Sequence, residues 1–241
     1  MSKEQREMEV FKAFAKAAPF SVLPDTIENR SPPEPDILCE INDVGQVGFE
    51  LTELIDQSYM ARLGLLFNTK QFLSDYWKNG LNREESDIFN NKYKGALLHF
   101  EYAQDSKLKD RKAVAKKAFI KLLGLPENSS GDVLKNDPEL APVLNWVNIR
   151  RIELAEPTID TSSYGYLGDP TSPAINKKLN KNYQCNYPIE LLAHINWGIM
   201  PHEEAWMASA DATASQLSKS QFRKIWVFDN TDKTIKYEYP K

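Results

Sequence analysis

The sequence predicts an α/β protein whose mixed sheet carries helices on both faces. Three observations lead there. An amphipathic helix opens the chain, two short apolar runs joined by tight-turn chemistry occupy residues 36–54, and the last third alternates helical and buried-strand patterns. With 41% apolar and 11% aromatic residues in 241, the chain can bury a sizeable core, which excludes a disordered or fibrous protein.

The elements follow in order. Residues 3–18 form a helix because Val10, Phe11, Phe14, Ala15 and Ala18 recur at three- and four-residue spacing, and Pro19 ends the run. Glu7 shares the face of that apolar stripe, whereas Glu9 points elsewhere. A turn-rich stretch from Thr26 to Pro35 delivers the chain into a strand at Asp36–Ile41. Asn42-Asp43-Val44-Gly45 is strong turn chemistry, and Val47–Leu54 alternates as a second strand, so the two make a β-hairpin.

Residues 56–157 read as an inserted, mainly helical module within a single domain spanning 1–241. Within it, 58–78 is amphipathic, 96–102 reads as a strand, 109–123 as a helix stopped by Gly124, 140–146 as a short helical piece and 147–154 as a strand. Beyond it come a helix at 172–183 opened by Pro173 and a buried strand at 189–195. A helix at 203–217, a buried strand at 224–229 and a final strand near 234–239 complete the chain.

Composition excludes several classes of function. The net charge of −4 argues against a protein that only coats nucleic acid, though not against an enzyme that gathers carboxylates to act on it. Two cysteines, Cys39 and Cys185, supply neither a disulfide framework nor a four-cysteine zinc site. A single bridge between them stays open, and two free thiols are the simpler reading. No apolar run approaches the roughly 18 residues that cross a bilayer. The charged N-terminus lacks a signal-peptide core, so the expectation is a soluble, cytoplasmic protein without membrane partners. A phosphate-binding glycine loop, a GxSxG elbow and an HExxH motif are absent. His99, His194 and His202 lack metal-ligand spacing and read as surface or core residues.

The unusual feature is the hairpin. Asp36 starts one strand and Glu50 sits in the middle of the next, so a tight hairpin brings two carboxylates to one end of adjacent strands. Their repulsion needs a cation or a proton to offset it, and Mg²⁺ is a natural choice because it takes hard oxygen ligands. The alternative is an Asp36 that caps a turn and a Glu50 that faces solvent. Glu7 similarly stands open between a site residue and a favourable charge in a first helical turn.

The segment Pro35-Asp36-Ile-Leu-Cys … Gly48-Phe-Glu50-Leu-Thr52 resembles the PD-(D/E)XK nuclease superfamily. In that family a helix bearing a Glu precedes a hairpin with an Asp on one strand and a (D/E)-x-K tripeptide on the next. Glu7, Asp36 and Glu50 fall in those places, and the resemblance covers roughly 1–55 and 172–230. It implies a restriction-endonuclease-like, three-layer α/β/α fold around a central mixed sheet, and a metal-dependent phosphodiester hydrolase, more an endonuclease than an exonuclease, acting on DNA. Mg²⁺, with Mn²⁺ as substitute, would be held by Asp36, Glu50 and the carbonyl of Leu51, with Glu7 reaching it directly or through water.

One position departs from the pattern: Thr52 stands where the family has its Lys. Some branches of the superfamily carry that Lys on the following helix, and Ile175-Asn-Lys-Lys178-Leu179-Asn-Lys181 resembles such a substituted helix. Lys178 or Lys181 would then orient the nucleophile or neutralise transition-state charge. The alternatives are an ordinary exposed lysine cluster and a catalytically inactive relative that serves as a nucleic-acid- or protein-binding module. Lys109, Lys112, Lys116 and Lys117, with neighbouring Lys107, Arg111 and Lys121, make a basic stripe that is either a phosphate-backbone contact surface or a solvated helix face. Tyr76, Trp77, Tyr93 and Tyr102 are expected to pack the module's core rather than stack on bases. Cleavage of both strands of a duplex would need two active sites, a need that a homodimer would meet.

Overall fold

The computed structural model describes residues 1–162 and 166–240. The chain begins with α1 (Lys3–Ala17), β1 (Glu28–Asn29), β2 (Ile37–Ile41) and β3 (Gly45–Glu53). It continues through α2 (Gln57–Asp75), α3 (Arg83–Tyr93), β4 (Ala96–Tyr102), α4 (Leu108–Leu123), β5 (Gly131–Val133), β6 (Leu144–Arg151) and β7 (Thr158–Thr161). It ends with α5 (Thr171–Leu179), β8 (Ile189–Ile195), α6 (Glu203–Ala214), β9 (Phe222–Asp229) and β10 (Thr234–Tyr239). Two compact units result: Met1–Asp56 with the stretch from Leu167 onward, and Gln57–Tyr166.

The first unit is built on a six-stranded sheet in the order β1-β2-β3-β8-β9-β10. The tight turn at 42–44, with Asp43 (φ 64°) and Gly45 (φ 87°) in the left-handed region, forces β2 and β3 to run antiparallel. α5 immediately precedes β8, and α6 links β8 to β9, so β3, β8 and β9 lie parallel; β10 returns antiparallel to β9. The sheet is therefore mixed, as the hairpin followed by helix–strand alternation predicts.

Each face has its own core. On one, Val10, Phe11 and Phe14 of α1 pack on Ile37, Cys39, Val47, Phe49, Leu51, Trp226 and Phe228. Phe14 is the hub, with the rings of Phe11, Phe20, Phe49, Trp226 and Phe228 centred 5.5–6.1 Å away. On the other, Ile175 and Leu179 of α5 and Trp206, Ala210 and Ala214 of α6 cover Leu191, Ala193, Ile195, Ile225 and Val227. Strand β8 is buried along its whole length between them, which explains why it is apolar at every position but Glu190 and His194.

The second unit has a four-stranded sheet, β5-β6-β4-β7, beside α2, α3 and α4. Tyr93 and Tyr102 lie in its core with Phe89, Phe100 and Phe119, and Tyr76 and Trp77 pack against it, in agreement with the packing role expected for these aromatics. The short helix expected at 140–146 does not form. Two i→i−4 bonds, Ala141 N–H to Asp137 and Leu144 N–H to Leu140, close single turns, but Pro142 has no N–H to extend them and β6 starts at Leu144. Helix α3, which sequence reading missed, begins at a capping box of Asn82 and Glu85 and buries only Phe89 and Tyr93, too few apolar positions for a clear stripe.

Gly48 of β3 positions the entry to β2. A Cβ at residue 48 would lie 2.6 Å from Pro35 Cγ and 2.7 Å from Tyr187 Cε2, so the absent side chain lets Pro35 lie directly on the strand. Gly48→Ala should push Pro35, and Asp36 after it, off the sheet and destabilise the protein by about 1–3 kcal/mol. Urea unfolding checks this, and an unchanged midpoint would contradict it.

Candidate functional site

Three elements of the first unit converge on one end of the β2–β3 hairpin. Helix α1 opens with a capping box in which the Ser2 hydroxyl accepts from Gln5 N–H (3.2 Å) and the Gln5 side chain accepts from Ser2 N–H (2.9 Å). That cap fixes the turn carrying Lys3 and Glu7. Because Glu7 precedes Val10 and Phe11 by three and four residues, the packing that buries them draws its carboxylate in as well.

Asp36 lies one residue ahead of β2. The register pairs Ile37 with Phe49, and one further step sets Asp36 opposite Glu50. Gly48 and Leu54 direct their N–H groups toward the β8 side, so the odd-numbered residues of β3 direct their backbone polar groups toward β2. At Leu51 the β2 backbone has run out, and the Asp36 carboxylate accepts its N–H at 2.8 Å instead. The Leu51 carbonyl shares that side of the strand. Glu50 points to the α5 face, where its side chain is only 3% exposed.

The charges form an alternating row. Lys3 Nζ lies 3.1 Å from Glu7 and 3.8 Å from Asp36, Lys178 Nζ lies 3.9 Å from Asp36 and in contact with Glu50, and Lys181 Nζ lies 3.4 Å from Glu50. The sequence Glu7–Lys3–Asp36–Lys178–Glu50–Lys181 thus sets three carboxylates against three ammonium groups. Glu50 and Lys178 are its most buried members, at 3% and 13% exposed, and Lys3 and Lys181 are the two that open to solvent. Burial together with the Asp36 charge raises the Glu7 pKa above the usual carboxylate range, while the bond to Glu7 raises that of Lys3. The hydroxyl of Tyr183 is buried beside Glu50 and Asp36, and burial, then Glu50, push its pKa up.

All four residues expected to act on the hairpin site, Asp36, Glu50, Lys178 and Lys181, are brought together, and Glu7 joins them through Lys3. Sequence reading missed Lys3 and Tyr183. Lys3 could have been found from its i,i+4 spacing to Glu7, whereas nothing local marks Tyr183. Glu53 lies outside the row and accepts from the Asn196 amide at 3.0 Å. Among the described residues no group of three or more His, Cys, Asp or Glu side chains is gathered to hold a metal ion. The oxygens on hand for a divalent cation are those of Asp36 and Glu50 and the Leu51 carbonyl. They suit Mg²⁺ in type, with the Lys178 ammonium at present supplying the positive charge between the two carboxylates.

The remaining candidates lie elsewhere. Lys109, Lys112, Lys116 and Lys117 are on α4 of the second unit. Lys112 and Lys116 stand over the Phe72 and Tyr76 rings at 5.3 and 5.8 Å, and Lys109, Lys116 and Lys117 are exposed. Arg111 turns inward over Tyr102, and Lys121 pairs with Asp137 and Glu139 at 2.8 Å, so part of the basic stripe serves the unit's own structure. His99 contacts Glu101 and Ser162, and burial pushes the pKa of His194 down to about 4. Cys39 and Cys185 are free thiols, and burial pushes Cys39 up to about 12. No helix among the described residues is long and apolar enough to cross a membrane. Comparison with family models, with curated proteins and with solved structures gives no match for this chain.

Two predictions follow from the row of charges. Lys178→Met leaves the Glu50 carboxylate buried against Lys181 alone and should cost about 3 kcal/mol, the lower end of the range for breaking a buried pair. Adding Glu50→Gln should recover most of that loss, and urea denaturation at pH 7 measures both. For Glu7, the folded pKa lies above the unfolded one, so its contribution is fully present below the unfolded pKa and is lost as pH climbs through the raised value. Glu7→Gln should therefore be more stable than wild type at pH 7–8 and indistinguishable from it below about pH 4. Urea midpoints taken from pH 4 to 8 would reveal parallel curves if this were wrong.

Proposed function

We propose that the protein is a metal-dependent phosphodiester hydrolase acting on DNA, an endonuclease of the PD-(D/E)XK type with a restriction-endonuclease-like core and its lysine supplied by α5. The observation that carries this reading is the reach of Lys178 to Glu50 and Asp36 from a helix that follows the hairpin in sequence by more than a hundred residues. Thr52, two residues beyond Glu50 on the same face of β3, has no charge to offer, and the ammonium arrives from the facing helix instead. The helix bearing Glu7, the antiparallel hairpin bearing Asp36 and Glu50, and the helix and parallel strand that follow also support it.

The division of labour follows from chemistry. Asp36, Glu50 and the Leu51 carbonyl would hold Mg²⁺ or Mn²⁺, with Glu7 at the outer edge, and the ion would supply Lewis acidity and an acidified water. Glu50 presents its carboxylate from a buried strand, so its backbone is fixed relative to Asp36. Lys178, turning from the carboxylates to the scissile phosphate, places an ammonium where negative charge develops, and Lys181 adds a second, more exposed positive charge.

A second reading has its own support. The three carboxylates and three ammonium groups balance without any added ion, which suits an inactive relative that binds nucleic acid or protein. The two readings separate in one experiment. Supercoiled plasmid and single-stranded DNA are incubated with Mg²⁺ or Mn²⁺ and wild-type, Asp36→Ala, Glu50→Ala or Lys178→Ala protein. The nuclease reading expects nicking by wild type and a loss of about 10²-fold or more in each variant. DNA retention without cleavage would favour the binding module, and equal cleavage by all four proteins would trace it to a contaminant and end the nuclease reading.

A further inference from the structure

Tyr183 is held by contacts to both its ring and its backbone. Its ring packs edge-on against Phe222 with centroids 5.4 Å apart and planes at 79°. Its backbone is bracketed by one side chain: Tyr183 N–H donates to Gln221 Oε1 at 2.6 Å, and Gln221 Nε2 donates to the Tyr183 carbonyl at 3.0 Å. The Lys181 ammonium stands 6.0 Å from the ring centre. The residue is 6% exposed, and its hydroxyl is buried with no partner of regular hydrogen-bond geometry. Yet the ring stands beside the site, because the ammonium of Lys181 that lies 6.0 Å from its centre is also 3.4 Å from Glu50 Oε1.

A buried donor without an acceptor is unfavourable, and phenylalanine would fill the same space without that cost. A neutral phenol set against a carboxylate has one evident use, donation to a carboxylate oxygen. In the present arrangement both Lys178 and Lys181 engage the same oxygen of Glu50, Oε1.

We propose that Tyr183 is a positioning residue of the site, whose hydroxyl donates to Glu50 and holds its carboxylate in place when Lys178 turns away and a divalent cation is bound. This inference rests on the reading of Asp36 and Glu50 as ligands of that cation. Groups that hydrogen-bond a ligating carboxylate fix its orientation, and their loss weakens metal binding by about 10–100-fold.

The test compares wild type with Tyr183→Phe, which removes one oxygen and keeps the ring. Thermal melts without metal should show the variant unchanged or raised by about 2–4 °C, because a costly buried hydroxyl has gone. Isothermal titration with Mn²⁺ should show binding weakened by about 10-fold or more. Together these results support positioning, since a structural hydroxyl would lower the melting temperature and leave affinity alone. Equal Mn²⁺ affinity in the two proteins overturns the inference, as does a lowered melting temperature with affinity unchanged. A wild type that binds no Mn²⁺ overturns both this inference and the metal reading beneath it. If Tyr183→Phe weakens Mn²⁺ binding while wild type cleaves no DNA, the nuclease reading falls and the role of Tyr183 stands.

Discussion

The contact between the Glu50 carboxylate and the Lys178 ammonium is the constraint around which the first unit is arranged. An ionised carboxylate at the middle of a buried strand is expensive unless a cation meets it, and Lys178 is the nearest one. To deliver that cation, α5 must lie across the same face of β3 that Glu50 occupies. Ile175 and Leu179 anchor it there, on either side of Lys178 along the helix. The apolar packing that fixes α5 and the polar contact at the site are thus one placement serving two ends. Asp36 adds a second link, because its carboxylate completes the backbone pairing of Leu51 while facing the same ammonium.

Most of the first unit was legible in the sequence, and the reason lies in its patterns. The α1 stripe, the turn at Asn42–Gly45, the apolar run of β8 and Pro173 near the start of α5 each state a local preference that the packing then uses. The second unit was read less well. Helix α3 shows two buried aromatics among polar residues, and β5 and β7 are strands of three and four residues whose pairing depends on neighbours distant in sequence. The segment at 140–146 has helical composition but is stopped by Pro142, a local signal that was outweighed by the apolar residues around it.

The site was legible in part for a different reason. Asp36 and Glu50 lie within one hairpin, so their meeting follows from register alone. The arrival of Lys178 is non-local and was suggested only by the family resemblance. Lys3 is marked only by its i,i+4 spacing to Glu7, and Tyr183 by nothing local, since a tyrosine after a helix is ordinary until the fold brings it close. The face of α4 shows the converse: clustered lysines suggested one surface, and several of them prove to cover rings or pair with acids within their own unit.

Where the chain leaves the first unit at Asp56 and just after it returns at Leu167, the two stretches of backbone are tied together, with the Gly168 N–H donating to the Asp56 carboxylate at 2.7 Å. Everything between them hangs from a closed doorway. Because the ends already meet, the entropy of closing that excursion depends only weakly on its length. A longer or shorter segment between those ends would then leave the strand order of the first unit unchanged.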